Sequence, residues 1–141
     1  MDIKNLIEAA FAARKFAYTP YSHFCVGAAL LAKNGTVYKG CNIENSAYTP
    51  SNCAERTAFF KAVSEGVKEF DAIAIVGGFE DTKDGDFDYT PPCGVCRQVM
   101  SEFCDYDDFK IILAKNSEDY KIYSLKELLP LGFDKSNLNL Q

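Results

Sequence analysis

Cys53-Ala54-Glu55, followed about forty residues later by Pro92-Cys93-Gly94-Val95-Cys96, gathers the residue types that bind and use a transition metal. Three cysteines can supply three thiolates to one Zn²⁺ and leave the fourth tetrahedral position open, the layout of a catalytic rather than a structural site. A structural site would close with a fourth Cys or His. The single histidine, His23, stands thirty residues before Cys53 beside an expected strand, where a hydrogen-bonded structural role suits it better than ligation. Cys104 is eight residues past Cys96, more than two turns down the same expected helix and so about 12 Å away. Cys25, Cys41 and Cys104 lie in apolar or strand-like surroundings and read as small buried hydrophobes.

Glu55 gives the cluster its acid–base partner. A water activated by the metal needs a nearby group to take its proton and pass it on. Residues i and i+2 point about 200° apart on a continuous helix, so Glu55 is not expected to ligate beside Cys53. On the first turn it can face the open position instead. Three thiolates and one Zn²⁺ carry a net negative charge, which opposes deprotonating that water. Arg56 is expected to donate to the ligand sulfurs and offset the charge. Arg97 follows Cys96 in the same relation, with a smaller role expected.

The elements that must hold these residues follow from periodicity and punctuation. Ile3, Leu6, Ile7, Ala10 and Phe11 repeat at helical spacing, so residues 2–16 form an amphipathic helix, ended at Pro20. Val26–Lys33 and Val37–Cys41 flank Asn34-Gly35, a hairpin signal. Asn52 is expected to cap a helix from Cys53 to about Glu65, stopped by Gly66. Ala72–Val76 reads as a buried strand, residues 79–91 as an acidic surface loop, and Gly94–Phe103 as a helix. Lys110–Ala114 and Tyr120–Tyr123 read as strands, and Ser124 caps a short helix over Leu125–Leu129. The tail from about Asp134 is polar and expected to be loose. This order predicts an α/β fold with one mixed sheet of about five strands and helices on both faces. Both ligand groups then open helices, where the positive end of the dipole lowers thiol pKa values.

At 141 residues the chain reads as one domain spanning 1–141. A net charge of −5, with no Lys/Arg cluster, argues against a nucleic-acid partner. The first residues lack the apolar core of a signal peptide, and nothing approaches the length of a membrane span. A cytoplasmic protein is expected, and in that reducing compartment six cysteines do not imply disulfides.

The motifs also resemble the zinc deaminases, in which C-x-E and P-C-x-x-C recur with Cys allowed at the first ligand. Within them the chain most resembles the small cytidine deaminases. The likeness runs from about Tyr18 to Phe133. It takes in Tyr21-Ser22-x-Phe24-x-Val26-Gly27-Ala28, Gly40-Cys41-Asn42-Ile43-Glu44-Asn45-Ser46, Cys53-Ala54-Glu55-Arg56, Pro92 to Gln98, and Leu128 to Phe133. One departure is Pro91, where the family often has Ser. The resemblance implies a three-layer αβα fold and one Zn²⁺ per chain on Cys53, Cys93 and Cys96, with Glu55 as the catalytic proton shuttle. It implies that Asn42 and Glu44 bind the ribose hydroxyls, that Phe24 packs on the pyrimidine and that Ala54 lines the substrate. It further implies a homotetramer in which Tyr48 and Phe133 reach across an interface to complete a neighbour's pocket. The implied reaction is hydrolysis of cytidine and 2′-deoxycytidine to uridine and 2′-deoxyuridine with loss of ammonia, as in pyrimidine salvage. The alternatives are a blasticidin S deaminase-like activity and a non-catalytic zinc-stabilised interaction module. A polynucleotide-editing deaminase fits poorly, because the chain is acidic and lacks a basic channel.

Overall fold

A computed structural model describes residues 1–138. Helix α1 (Ile3–Arg14) starts at Asp2, whose carboxylate accepts the Asn5 N–H at 3.1 Å. Strands β1 (Phe24–Ala32) and β2 (Val37–Cys41) form the expected hairpin, and Gly35 takes the positive φ its turn requires. Helix α2 (Ala54–Ser64), strand β3 (Phe70–Phe79) and helix α3 (Gly94–Phe103) follow. Strands β4 (Lys110–Ala114) and β5 (Tyr120–Ser124) and helix α4 (Leu125–Leu128) complete the order. In α4, Ser124 and Glu127 form a reciprocal capping box.

The sheet runs β2-β1-β3-β4-β5 and is mixed: β3 and β4 are parallel and the other pairs antiparallel. Alternation along the strands divides the core into two layers. Ala29, Ala72, Ala74 and Val76 pack under Leu6, Ile7 and Ala10 of α1. Ala28, Leu30, Ile73 and Ile75 pack with Phe59 of α2 and Met100 of α3 on the other face. The fold is therefore three-layer αβα, as expected.

Three differences from the sequence expectation stand out, while the other element ends shift by two residues or fewer. Strand β3 extends three residues beyond Val76, through Gly77 and Gly78, because the Thr90 and Phe87 side chains cover the space those glycines leave. Residues 80–86 form the expected exposed loop, but its ends are anchored: Phe79 belongs to β3, and Phe87 is buried edge-on against Phe11. The tail forms a 3-10 turn over Lys135–Leu138, and its last three residues lie outside the described residues. Among the described residues no helix is long and apolar enough to cross a membrane.

Candidate active site

The N-termini of α2 and α3 meet on the face of the sheet opposite α1. Cys53 is the N-cap residue of α2 and Cys93 that of α3, both in extended conformation, and Cys96 lies in the first turn of α3. Asn52 is not the cap. Its backbone exchanges two 2.9 Å hydrogen bonds with Ile43, which holds it outside the helix, and its amide donates to Thr57. Neither N-cap sulfur makes a capping bond. The sulfurs turn toward each other instead: Cys53 Sγ lies 3.7 Å from Cys93 Sγ, which lies 3.5 Å from Cys96 Sγ. All three fall within 4.8 Å of one another and are the metal-competent cluster among the described residues. Thiolates at a tetrahedral Zn–S distance of about 2.3 Å sit about 3.8 Å apart. The donor set fits zinc in chemistry and in spacing.

Arg56 donates from Nη2 to Cys53 Sγ at 3.3 Å, while its Nε is buried without a partner. Hydrogen bonding, first from Cys96 and then from Arg56 and Cys93, draws the Cys53 thiol down to about 5 against the opposing effect of burial. The Cys96 thiol, donating to Cys53 and itself buried, is held above its ordinary range. Glu55 is 4% exposed. Burial pushes its carboxyl up to about 7, opposed by a backbone hydrogen bond and reinforced by the charge of Cys53. Arg97 makes a different kind of contact, donating to the carbonyls of Pro92 at 2.8 Å and Leu128 at 2.6 Å. It ties the segment before Cys93 to α4 rather than touching a sulfur.

Phe24 opens β1 on the cluster's face, directly opposite Phe79 and edge-on to it at 5.2 Å. Asn42 Oδ1 accepts the Val26 N–H and its Nδ2 donates to the Phe24 carbonyl, both at 2.8 Å. The amide so continues the β1–β2 pairing beyond Cys41, keeping one N–H and one lone pair free for a ligand. Glu44 accepts the N–H groups of Tyr21 and Ser22, each at 3.0 Å, and the Ser22 hydroxyl. That hydroxyl is the main reason its carboxyl stays below the usual carboxylate range. Ala54 is fully buried, whereas Tyr48 and Phe133 are 72% and 61% exposed. His23, at a positive φ, pairs with Glu80 at 3.2 Å and stands apart from the sulfurs' hydrogen bonding. Of the remaining cysteines, Cys25 is buried, but Cys41 and Cys104 are only half-buried because each lies at the end of its element.

Two contributors escaped the sequence reading. Phe79 was hidden behind a Gly-Gly pair that resembles a turn, although its alternation with Ile73 and Ile75 marked the same face. Arg14, read only as part of an amphipathic helix, donates to the carbonyls of Cys25, Gly78 and Phe79 and so ties the ends of β1 and β3 that carry the aromatic pair.

Comparison with known proteins gives a consistent result. The family described as the cytidine and deoxycytidylate deaminase zinc-binding region matches residues 1–112. A cytidine deaminase from Sporosarcina psychrophila is 50% identical, over 99% of this chain and 96% of its own. One from Halalkalibacterium halodurans is also 50% identical, over 99% of both chains. The crystal structure of a cytidine deaminase from Burkholderia pseudomallei superposes with a TM-score of 0.82 at 46% identity, covering 94% of this chain and 100% of that one.

Proposed function

The chain belongs to the cytidine and deoxycytidylate deaminase family, and we infer that it is an enzyme hydrolysing cytidine to uridine with release of ammonia. 2′-Deoxycytidine is the second substrate of this reading. The observation that carries the assignment of roles is the buried Glu55 set beside three converging thiols at two helix N-termini. Cys53, Cys93 and Cys96 hold one Zn²⁺. The ion supplies Lewis acidity, making a water molecule nucleophilic near neutral pH.

Glu55 takes the proton that the attacking water gives up at C4 of the ring. It delivers this proton to the ring nitrogen N3, then takes the second proton from the oxygen now bonded to C4 and delivers it to the departing amine, so that the C4 carbonyl forms, the C–N bond breaks and neutral ammonia leaves. Its burial suits this task, because a carboxyl with a raised pKa both accepts and returns a proton. Arg56 offsets the excess negative charge of the thiolates through its contact with Cys53. Phe24 packs against the pyrimidine and Asn42 and Glu44 engage the ribose hydroxyls, while Ala54, fully buried against β2, supports the site from behind rather than lining the substrate. The fixed orientations of Asn42 and Glu44 limit the freedom lost when the sugar binds.

The assembly in this reading is a homotetramer. Leu131, Tyr48, Phe133 and Phe60 leave large apolar surface exposed, and a neighbouring copy covers it, with Tyr48 and Phe133 closing the neighbour's pocket. Thiolate ligands require reduced cysteines, and the six cysteines are unpaired, which suits the cytoplasm and a role in pyrimidine nucleoside salvage.

A spectrophotometric assay with cytidine, 2′-deoxycytidine and blasticidin S tests the reading. Rapid turnover of the two nucleosides is expected. Preferential turnover of blasticidin S would replace it, and no turnover by the zinc-loaded protein would leave only a zinc-stabilised interaction module.

A further inference from the structure

The segment between β3 and α3 must deliver Cys93 and the start of α3 to the thiol cluster, yet it holds little regular structure beyond one bridge, Gly77 to Asp88. Backbone of this kind keeps a fixed place only where side chains offset its conformational entropy. From Phe87 onward nearly every residue has such a tie. Phe87 is buried, with the Arg14 guanidinium 4.7 Å from its ring centroid. Thr90 occupies the space above Gly77, where an added Cβ would come within 2.7 Å of its hydroxyl. The Pro92 carbonyl accepts from Arg97.

Tyr89 is tied from farther away in the chain. Its hydroxyl donates to Asp119 Oδ1 at 2.6 Å, across thirty residues. The ammonium groups of Lys115 and Lys121 each lie 4.8 Å from its ring centroid. All three partners belong to the hairpin that joins β4 to β5. Its turn is itself braced: Asn116 Oδ1 accepts the N–H groups of Glu118 and Asp119, and Lys115 N–H donates to the Asp119 carbonyl. A phenol donating to a carboxylate is a charge-assisted bond, and lysines over the ring add cation–π attraction.

We propose that Asp119, Lys115 and Lys121 form a clamp on Tyr89 that fixes the backbone leading into Cys93, so that the β4–β5 turn is a positioning element for the zinc-binding thiols. The proposal rests on the reading of Cys53, Cys93 and Cys96 as zinc ligands. Tyr89 and Asp119 are positioning residues and touch neither metal nor substrate. Loosening the clamp lets the Cys93 end of the segment depart more often, so the metal is released sooner while the helices that carry Cys53 and Cys96 remain folded.

The test is the rate at which zinc passes from the loaded protein to excess chelator, read with a coloured zinc indicator. Tyr89→Phe removes only the hydroxyl, and Asp119→Ala removes the acceptor. Each is expected to speed release about fivefold, the size of one net hydrogen bond. Asp119→Asn retains an acceptor oxygen and is expected to restore most of the original rate. The double variant Tyr89→Phe/Asp119→Ala should release no faster than the quicker single variant, because both act through one contact. Unchanged release in both single variants would overturn the clamp. So would additive effects in the double variant, or a quickening matched by equal loss of thermal stability in the metal-free protein. If the unmutated protein holds no stoichiometric zinc, the ligand reading falls and the clamp falls with it. If it holds zinc and the variants release it at the original rate, the clamp alone is wrong.

Discussion

Gly40→Ala places one methyl group where α2 crosses β2 and should cost more in turnover than in stability. The added Cβ would strike the Ala54 carbonyl oxygen, approach the Ala58 nitrogen to 2.6 Å and sit 3.1 Å from the Ala58 methyl. Two of those atoms are helix backbone, so no rotamer change relieves the contact. The first turn of α2 must retreat from the sheet by about 1 Å, and a displacement of that size at reacting groups can cost about 10²-fold in rate. That turn carries Glu55 and Arg56 and follows directly on Cys53. Overpacking of this kind destabilises by about 1–3 kcal/mol, which outweighs the entropic benefit of replacing glycine, about 0.4–1 kcal/mol. Ile7→Val is the control, since Ile7 is fully buried in the α1 layer on the opposite face of the sheet and loses only one methylene there, worth about 0.5–1.5 kcal/mol. Both variants should show lowered thermal midpoints by calorimetry, whereas kcat for cytidine, measured well below those midpoints, should fall in Gly40→Ala and hold near its original value in Ile7→Val. Unaltered kcat in Gly40→Ala would refute the argument. So would equal losses in the two variants, because that pattern reports general loosening rather than displacement of α2.

Four further outcomes are expected. The purified protein should carry about one zinc per chain, and a cobalt-substituted form should show sulfur-dominated tetrahedral coordination with one exchangeable light-atom ligand; four sulfurs would contradict an open site. Glu55→Gln should keep fold and zinc while losing at least about 10²–10⁴-fold in kcat, the usual worth of general acid–base catalysis, and near-normal turnover would remove Glu55 from the mechanism. Cytidine should be deaminated far better than free cytosine, and Glu44→Ala should narrow that gap without releasing zinc; similar rates on both substrates before mutation would refute the sugar-reading role. Sedimentation at assay concentration should give a tetramer, and a fully active monomer would show that Tyr48 and Phe133 serve no neighbour.

Much of the architecture was legible because its signals are local. Strand β2, strand β4 and helix α3 fall at the expected residues, since each is bounded by a turn or capping residue and has one clear periodicity. The thiol cluster was legible from residue type and spacing alone. What could not be read were ties that depend on distant chain. Gly77 and Gly78 look like a turn until Thr90 and Phe87 are laid over them. Tyr89 looks like part of an acidic loop until Asp119 arrives from the next hairpin. Asn42 was read for its chemistry, but nothing in its neighbours along the chain announced that both ends of its amide are already bound to β1.

The misplaced cap on α2 has a physical cause that bears on function. Propensity favours Asn over Cys at an N-cap, because a side-chain oxygen satisfies an orphan N–H and contributes about 1 kcal/mol. Both α2 and α3 forgo that contribution and start on a cysteine whose sulfur caps nothing. The first-turn N–H groups that no capping side chain takes form the positive end of the helix dipole, and a thiolate or a bound anion is stabilised there. A capping oxygen at Cys53 or Cys93 would strengthen the helix, consume a donor and turn the side chain away from the cluster. The stability forgone at the helix ends is offset in the core, where Phe59 of α2 and Met100 of α3 are fully buried against the sheet. Local rule and site chemistry therefore conflict at these two residues, and the site prevails because the core beneath it is strong enough to hold two helices without their usual caps.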